Sequence, residues 1–175
     1  MNQATQDVMF SKESDEWETP QRFFDLLNEE FKFTLDPCCT TLTAKCPKFF
    51  TLSDLPRDRD NKLVHGLRAP WRGHTAFVNP PYSKVALWLE KGRKELLDGV
   101  TSVFLLPARI DTKWFHNQIL PYAREIRFVK GRLRFSGKNS APFPSIVVVF
   151  KPMYGQTSWS NLHLSSMPRS KTDGQ

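Results

Sequence analysis

The sequence predicts an α/β fold: a mixed sheet with helices on both faces and a C-terminal antiparallel strand pair. Three observations carry that prediction. Short apolar runs alternate with segments whose apolar residues recur at helical spacing, the pattern of a sheet covered on both sides. Three of the runs end near a polar or rigid residue, Asp36, Asn79 and Pro107, as expected where strand ends build a ligand site. The last two apolar runs are joined by a loop with no helical pattern between them, which suits an antiparallel pair.

The elements follow in order. Residues 1–14 read as a flexible lead, residues 15–151 as a single domain and residues 152–175 as a polar tail. Thr19-Pro20 signals a helix start, with Thr as cap and Pro at the first helical position. Phe23, Phe24, Leu27 and Phe31 then recur at helical spacing. Residues 33–36 read as a strand ending in an acid, residues 37–48 as an irregular crossover and residues 49–52 as a second strand. Residues 55–73 are charged, rich in turn residues and read as a loop. Residues 75–78 form the next strand, and Ser83 is placed to cap a helix carrying Val85, Trp88, Leu89 and Leu96, with Gly99 as its stop. Residues 100–106 are a further strand. Asp111 is placed to cap a short helix through Trp114, Phe115 and Ile119, ended by Pro121. Residues 125–135 and 145–151 are the final strands, joined by the loop 136–144.

Bulk properties narrow the function. The chain of 175 residues suffices for one domain with a sizeable core and leaves no room for a large second one. No apolar run reaches membrane-spanning length, and the polar start has no signal-peptide core, so a soluble, cytoplasmic protein is expected. The formal net charge of +7 favours a polyanionic partner. The three cysteines, Cys38, Cys39 and Cys46, are odd in number and spaced unlike common zinc modules, which points to buried free thiols.

The richest segment is Asn79-Pro80-Pro81-Tyr82, directly after an apolar run. Each proline fixes its own φ and restricts the residue before it, so Asn79 is held extended at a strand end. The Asn79 amide oxygen and the Pro80 carbonyl suit the two hydrogens of an exocyclic amine, and the Tyr82 ring suits a planar base. The same turn also reads simply as a rigid strand-to-helix connection.

Asn79-Pro80-Pro81-Tyr82 resembles the catalytic motif of the amino-methyltransferases. Asp15-Glu16-Trp17-Glu18-Thr19-Pro20, Leu35-Asp36-Pro37-Cys38, Leu106-Pro107-Ala108-Arg109, Lys130-Gly131-Arg132-Leu133 and Ala141-Pro142-Phe143-Pro144-Ser145 follow in the order found in the phage-type Dam DNA N6-adenine methyltransferases. The chain is therefore identified as resembling that family over residues 15–151. The resemblance implies a Rossmann-like S-adenosylmethionine-dependent methyltransferase fold acting on double-stranded DNA. It implies methyl transfer to the N6 amine of a flipped-out adenine, and a phage enzyme protecting DNA from restriction. Asn79, Pro80, Pro81 and Tyr82 would be catalytic. Trp17, Thr19, Pro20, Asp36, Pro37 and Cys38 would lie on the cofactor side. Asp54 stands near the spacing of a second-strand acid that meets a ribose. Asp36 also reads as a helix cap and Asp54 as a solvated loop acid. No glycine-rich loop follows the first strand; the family's short Asp-x-Cys version stands in its place.

Lys130, Arg132 and Arg134 alternate with Val129, Gly131, Leu133 and Phe135, giving one basic and one largely apolar face at strand period. That basic face, with Arg109, Lys113 and the loop cations Lys62, His65, Arg68 and Arg72, forms the DNA-binding candidates. Methylation of another exocyclic amine or amide (cytosine N4, an RNA base, a protein glutamine) is the alternative within the same chemistry. Pro37-Cys38 opens a further one, a cytosine C5 mechanism with Cys38 as nucleophile. A DNA-binding module without catalysis is the reading outside enzymes.

Overall fold

The computed structural model describes residues 17–51, 65–135, 140–152 and 158–163. The lead 1–14, Asp15, Glu16, Asp54 and Lys62 lie outside the described residues. Helix α1 (Gln21–Phe31) opens at Pro20 and buries Phe23, Phe24 and Leu27. It closes at Lys32, which takes the left-handed conformation (φ 53°) and returns its N–H to the Asn28 carbonyl. Strands β1 (Leu35–Cys39), β2 (Lys48–Thr51) and β3 (Thr75–Val78) follow. A 3-10 turn over Tyr82–Lys84 leads into helix α2 (Val85–Leu97). Then come β4 (Thr101–Pro107), a π-helical turn at Phe115–Ile119, β5 (Glu125–Lys130), β6 (Ser145–Phe150) and β7 (Ser158–His163).

The strands form one seven-stranded sheet in the order β2-β1-β3-β4-β6-β5-β7. Neighbours β2-β1, β1-β3, β3-β4 and β5-β7 are parallel, while β6 runs antiparallel to both β4 and β5. The carboxyl ends of β1, β3, β4 and β5 therefore share one edge with the start of β6, where Ser145 stands opposite Pro107.

Strand alternation sorts the core into two layers. Ala76, Val78, Phe104, Leu106, Ile146, Val148 and Phe150 face one side with Trp88 and Leu89 of α2. Phe77, Val103, Leu105, Val147 and Val149 face the other with Phe23, Phe24 and Leu27 of α1. Helices thus cover both faces, as the apolar periodicity requires. Gly92 lets α2 lie close on the sheet: a Cβ there would stand 2.5 Å from the Phe104 ring.

Several boundaries differ from the sequence expectation, each for a local reason. Asp36 does not end β1; it is the second residue of the strand. Pro37 has no N–H to give a ladder, and the β1-β2 register shifts between Asp36 and Cys39. Pro20, not Thr19, holds the N-cap position of α1. Lys84, not Ser83, holds the N-cap position of α2. At the π-helical turn it is the Thr112 hydroxyl, not Asp111, that accepts from the Phe115 N–H at 3.4 Å. β5 stops at Lys130 because Gly131 turns the chain with φ 90°. The strand β7 lies within the segment expected to be a tail, pairing residue by residue with β5 from Glu125↔Ser158 to Lys130↔His163.

Candidate active site

Asn79 follows β3 and projects at the common strand edge. Its amide nitrogen donates to the Trp17 carbonyl at 2.5 Å and to the Thr19 hydroxyl oxygen at 3.0 Å. A carbonyl only accepts, so the Trp17 bond fixes which end of the amide is nitrogen. The Asn79 Oδ1 is left buried with no hydrogen-bond partner among the described residues. An acceptor stripped of water and given no protein donor is costly unless a ligand supplies one.

Pro80 and Pro81 are buried, and the Pro81 carbonyl accepts the Lys84 N–H at 2.9 Å, closing the turn. Tyr82 packs its ring edge-on against Phe143, with centroids 5.2 Å apart. Trp17 meets Phe143 at 5.3 Å and Phe135 at 5.5 Å, also edge-to-face. Burial pushes the Tyr82 phenol well above its ordinary range, while the nearby Arg109 guanidinium pulls the other way. Sequence reasoning assigned no role to Phe135 or Phe143. Their position in Ala141-Pro142-Phe143-Pro144-Ser145 and in the alternating segment after β5 was the available signal. Two backbone bonds assemble this wall: Ala108 N–H to the Pro144 carbonyl and Ala141 N–H to the Leu133 carbonyl, each 2.8 Å.

Asp36 is only 3% exposed. Its carboxylate accepts the Cys38 N–H at 3.3 Å and the Lys45 N–H at 3.1 Å. Burial outweighs these bonds and raises its pKa from 3.8 to about 6. It is not a helix cap but ties the crossover back to β1. No cationic side chain is hydrogen-bonded to it among the described residues. The Lys45 ammonium instead reaches Glu18 (3.3 Å) and Gln21 (3.2 Å), fastening residues 17–21 to the crossover.

Cys38, Cys39 and Cys46 are free and buried. Burial raises the Cys38 thiol well above its ordinary value, and the Asn79 backbone N–H faces its sulfur. A nucleophilic thiol requires the opposite environment, so this burial disfavours Cys38 as nucleophile.

The cations divide. Lys130, Arg132 and Arg134 are all exposed while Leu133 and Phe135 are buried, so the alternation survives although the ladder ends at Lys130. They stand at the carboxyl end of β5, on the same edge as Asn79. Arg109 is half-buried beside Tyr82, and Lys113 is exposed. Arg68 and Arg72 are exposed, whereas His65 stacks on Trp88 (6.2 Å) and accepts the Leu67 N–H, turning inward.

Residues 6–173 match the family described as DNA N-6-adenine-methyltransferase (Dam). The DNA N-6-adenine-methyltransferase of Haemophilus phage HP1 (strain HP1c1) is 30% identical over 169 residues, covering 87% of this chain and 91% of that protein. Among solved structures, a subunit of Vibrio vulnificus YJ016 assigned to modification in a type I restriction enzyme aligns over 98% of this chain. Its TM-score is 0.50 at 12% identity, and the chain spans 52% of its length. Protein Atu636 of Agrobacterium tumefaciens, assigned as an O-methyltransferase, gives 0.40 at 14% identity over 71% of this chain and 59% of its own. The Vibrio likeness agrees with a Rossmann-like methyltransferase fold. No helix among the described residues is long and apolar enough to cross a membrane.

Proposed function

The chain belongs to the DNA N-6-adenine-methyltransferase (Dam) family, and on that premise we propose that it moves the methyl group of S-adenosylmethionine to the N6 amine of an adenine flipped out of double-stranded DNA. The observation that carries this reading is the buried Oδ1 of Asn79 at the strand edge, unpartnered among the described residues. An aromatic amine is a poor nucleophile because its lone pair is delocalised into the ring. Asn79 Oδ1 accepts one amine hydrogen and the Pro80 carbonyl the other, drawing both out of plane and localising the lone pair. Tyr82 offers its ring to the base. An adenine inside a duplex cannot reach Asn79, so the base must leave the stack.

S-adenosylmethionine supplies an already activated methyl group, which leaves positioning as the main task of the chain. The residues fit such a ligand. Asp36 is a buried carboxylate with no cationic side chain bonded to it among the described residues, which suits the amine of the methionine portion. Trp17, Pro20, Pro37 and Cys38 are assigned to the cofactor side; Thr19, whose hydroxyl accepts from the Asn79 amide, is assigned to Asn79 instead. Lys130, Arg132 and Arg134, with Arg109 and Lys113 nearby in sequence to the β4 end, hold the phosphates. The setting is the cytoplasm of a bacterium or phage-infected host, where methylation protects DNA from restriction.

The test is nucleoside mass spectrometry on duplex DNA incubated with the protein and isotopically labelled S-adenosylmethionine. Labelled N6-methyladenine is the expected product. Label on cytosine, on RNA or on protein glutamine in parallel incubations would replace the proposed acceptor.

A further inference from the structure

We infer that Thr19 is a positioning residue for methyl transfer: its hydroxyl, with the Trp17 carbonyl, locks the Asn79 amide with Oδ1 aimed at the acceptor amine. The inference rests on the proposed reaction and adds a part that neither the motif nor the family match assigns. Thr19 stands where a helix cap is expected, yet Pro20 holds the N-cap position of α1. It is 3% exposed, and its hydroxyl takes the second hydrogen of the Asn79 amide, sixty residues away in sequence, at 3.0 Å.

The geometry leaves Asn79 one orientation. A free primary amide exchanges its nitrogen and oxygen ends by a turn about its last side-chain bond, and only one of the two presents an acceptor. Here both N–H groups are taken by residues 17 and 19. Turning the amide over would set Oδ1 against the Trp17 carbonyl oxygen, two acceptors face to face. Residues 17–20 are themselves fastened from the far side, since Lys45 binds Glu18 and Gln21 while its own N–H binds Asp36. The strap thus spans from the acid proposed for the cofactor to the amide proposed for the base.

The experiment compares wild type, Thr19→Val and Thr19→Ser in steady-state methylation of duplex DNA, with S-adenosylmethionine affinity measured by calorimetry. Wild type is assayed first. If it makes no N6-methyladenine, the reaction itself has failed, and with it the inference. With wild type active, Thr19→Val keeps the shape and loses the acceptor, so kcat should fall by about tenfold while cofactor affinity holds. Thr19→Ser should restore most of the rate. Should Thr19→Val not fold, Thr19→Cys supplies a weaker acceptor and should fall between Thr and the lost-acceptor rate. Unchanged kcat in the variant lacking the acceptor would overturn the inference. So would a loss confined to cofactor affinity, or a Ser variant as slow as the Val variant.

Discussion

Removing the Asn79 side chain should separate stability from activity by orders of magnitude. In Asn79→Ala two hydrogen bonds disappear, to the Trp17 carbonyl and to the Thr19 hydroxyl. A net worth of about 1 kcal/mol each gives a loss of about 2 kcal/mol. For a domain of this size that lowers Tm by roughly 4–8 °C. The chemical loss is larger, because Oδ1 acts where charge develops. Deleting one such pre-positioned group typically costs about 10²–10³ in kcat. Asn79→Asp is the sharper partner experiment. It keeps the shape and an acceptor, but sets a carboxylate oxygen against the Trp17 carbonyl in place of the donated N–H. It should therefore also lose turnover, by misorientation rather than by absence. The assay is single-turnover formation of N6-methyladenine on duplex DNA, with a calorimetric melt of each variant. Turnover near wild type in Asn79→Ala would refute the assignment of Oδ1 to the amine. A collapse of Tm with no folded fraction would show that the turn is structural first.

Asp36 sets a pH dependence for the cofactor. Its folded pKa of about 6 lies above the ordinary 3.8. The protonated acid therefore favours the folded chain below pH 3.8, and that contribution is lost as pH rises through 6. Binding of a cationic amine needs the ionised form, so affinity for S-adenosylmethionine should weaken about tenfold from pH 7.5 to pH 5; equal affinities in wild type would remove Asp36 from the cofactor. Reversing the charge of Lys130, Arg132 and Arg134 together should weaken DNA binding and make the salt slope shallower by about 3 if each meets a phosphate. An unchanged slope in a binding titration would return them to a solvated surface. Cys38→Ser keeps an acceptor for the Asn79 backbone N–H and should methylate duplex DNA close to wild type; abolished methylation in that variant would instead favour the thiol mechanism.

What the sequence made legible depends on range. Asn79-Pro80-Pro81-Tyr82 declares itself locally, because two prolines after an apolar run leave few conformations. The two-sided core was equally readable, since apolar residues alternate along β3, β4 and β6 while α1 and α2 carry stripes. Thr19 reads as a cap because capping is a rule about neighbours. Its real partner lies across the sheet edge, and no local pattern encodes that. Asp36 reads as a strand end because the proline directly after it argues against a continuing strand. Gly131 carried the signal that ended β5, but the alternation of cations across it spoke louder. β7 left no apolar period, so nothing in its composition argued for pairing.

That polar strand has a consequence for how the molecule behaves in a crowded solution. A β5 edge ending the sheet would offer the unpaired N–H and C=O groups of Glu125–Lys130 to any extended chain it met. β7 occupies that row, and the Ser160 hydroxyl donates to the Glu125 carboxylate at 3.2 Å. The new outermost strand reads Ser-Trp-Ser-Asn-Leu-His, a sequence poor in the apolar residues that recruit further strands. Residues that look dispensable for catalysis thus cover an edge that would otherwise invite further strands.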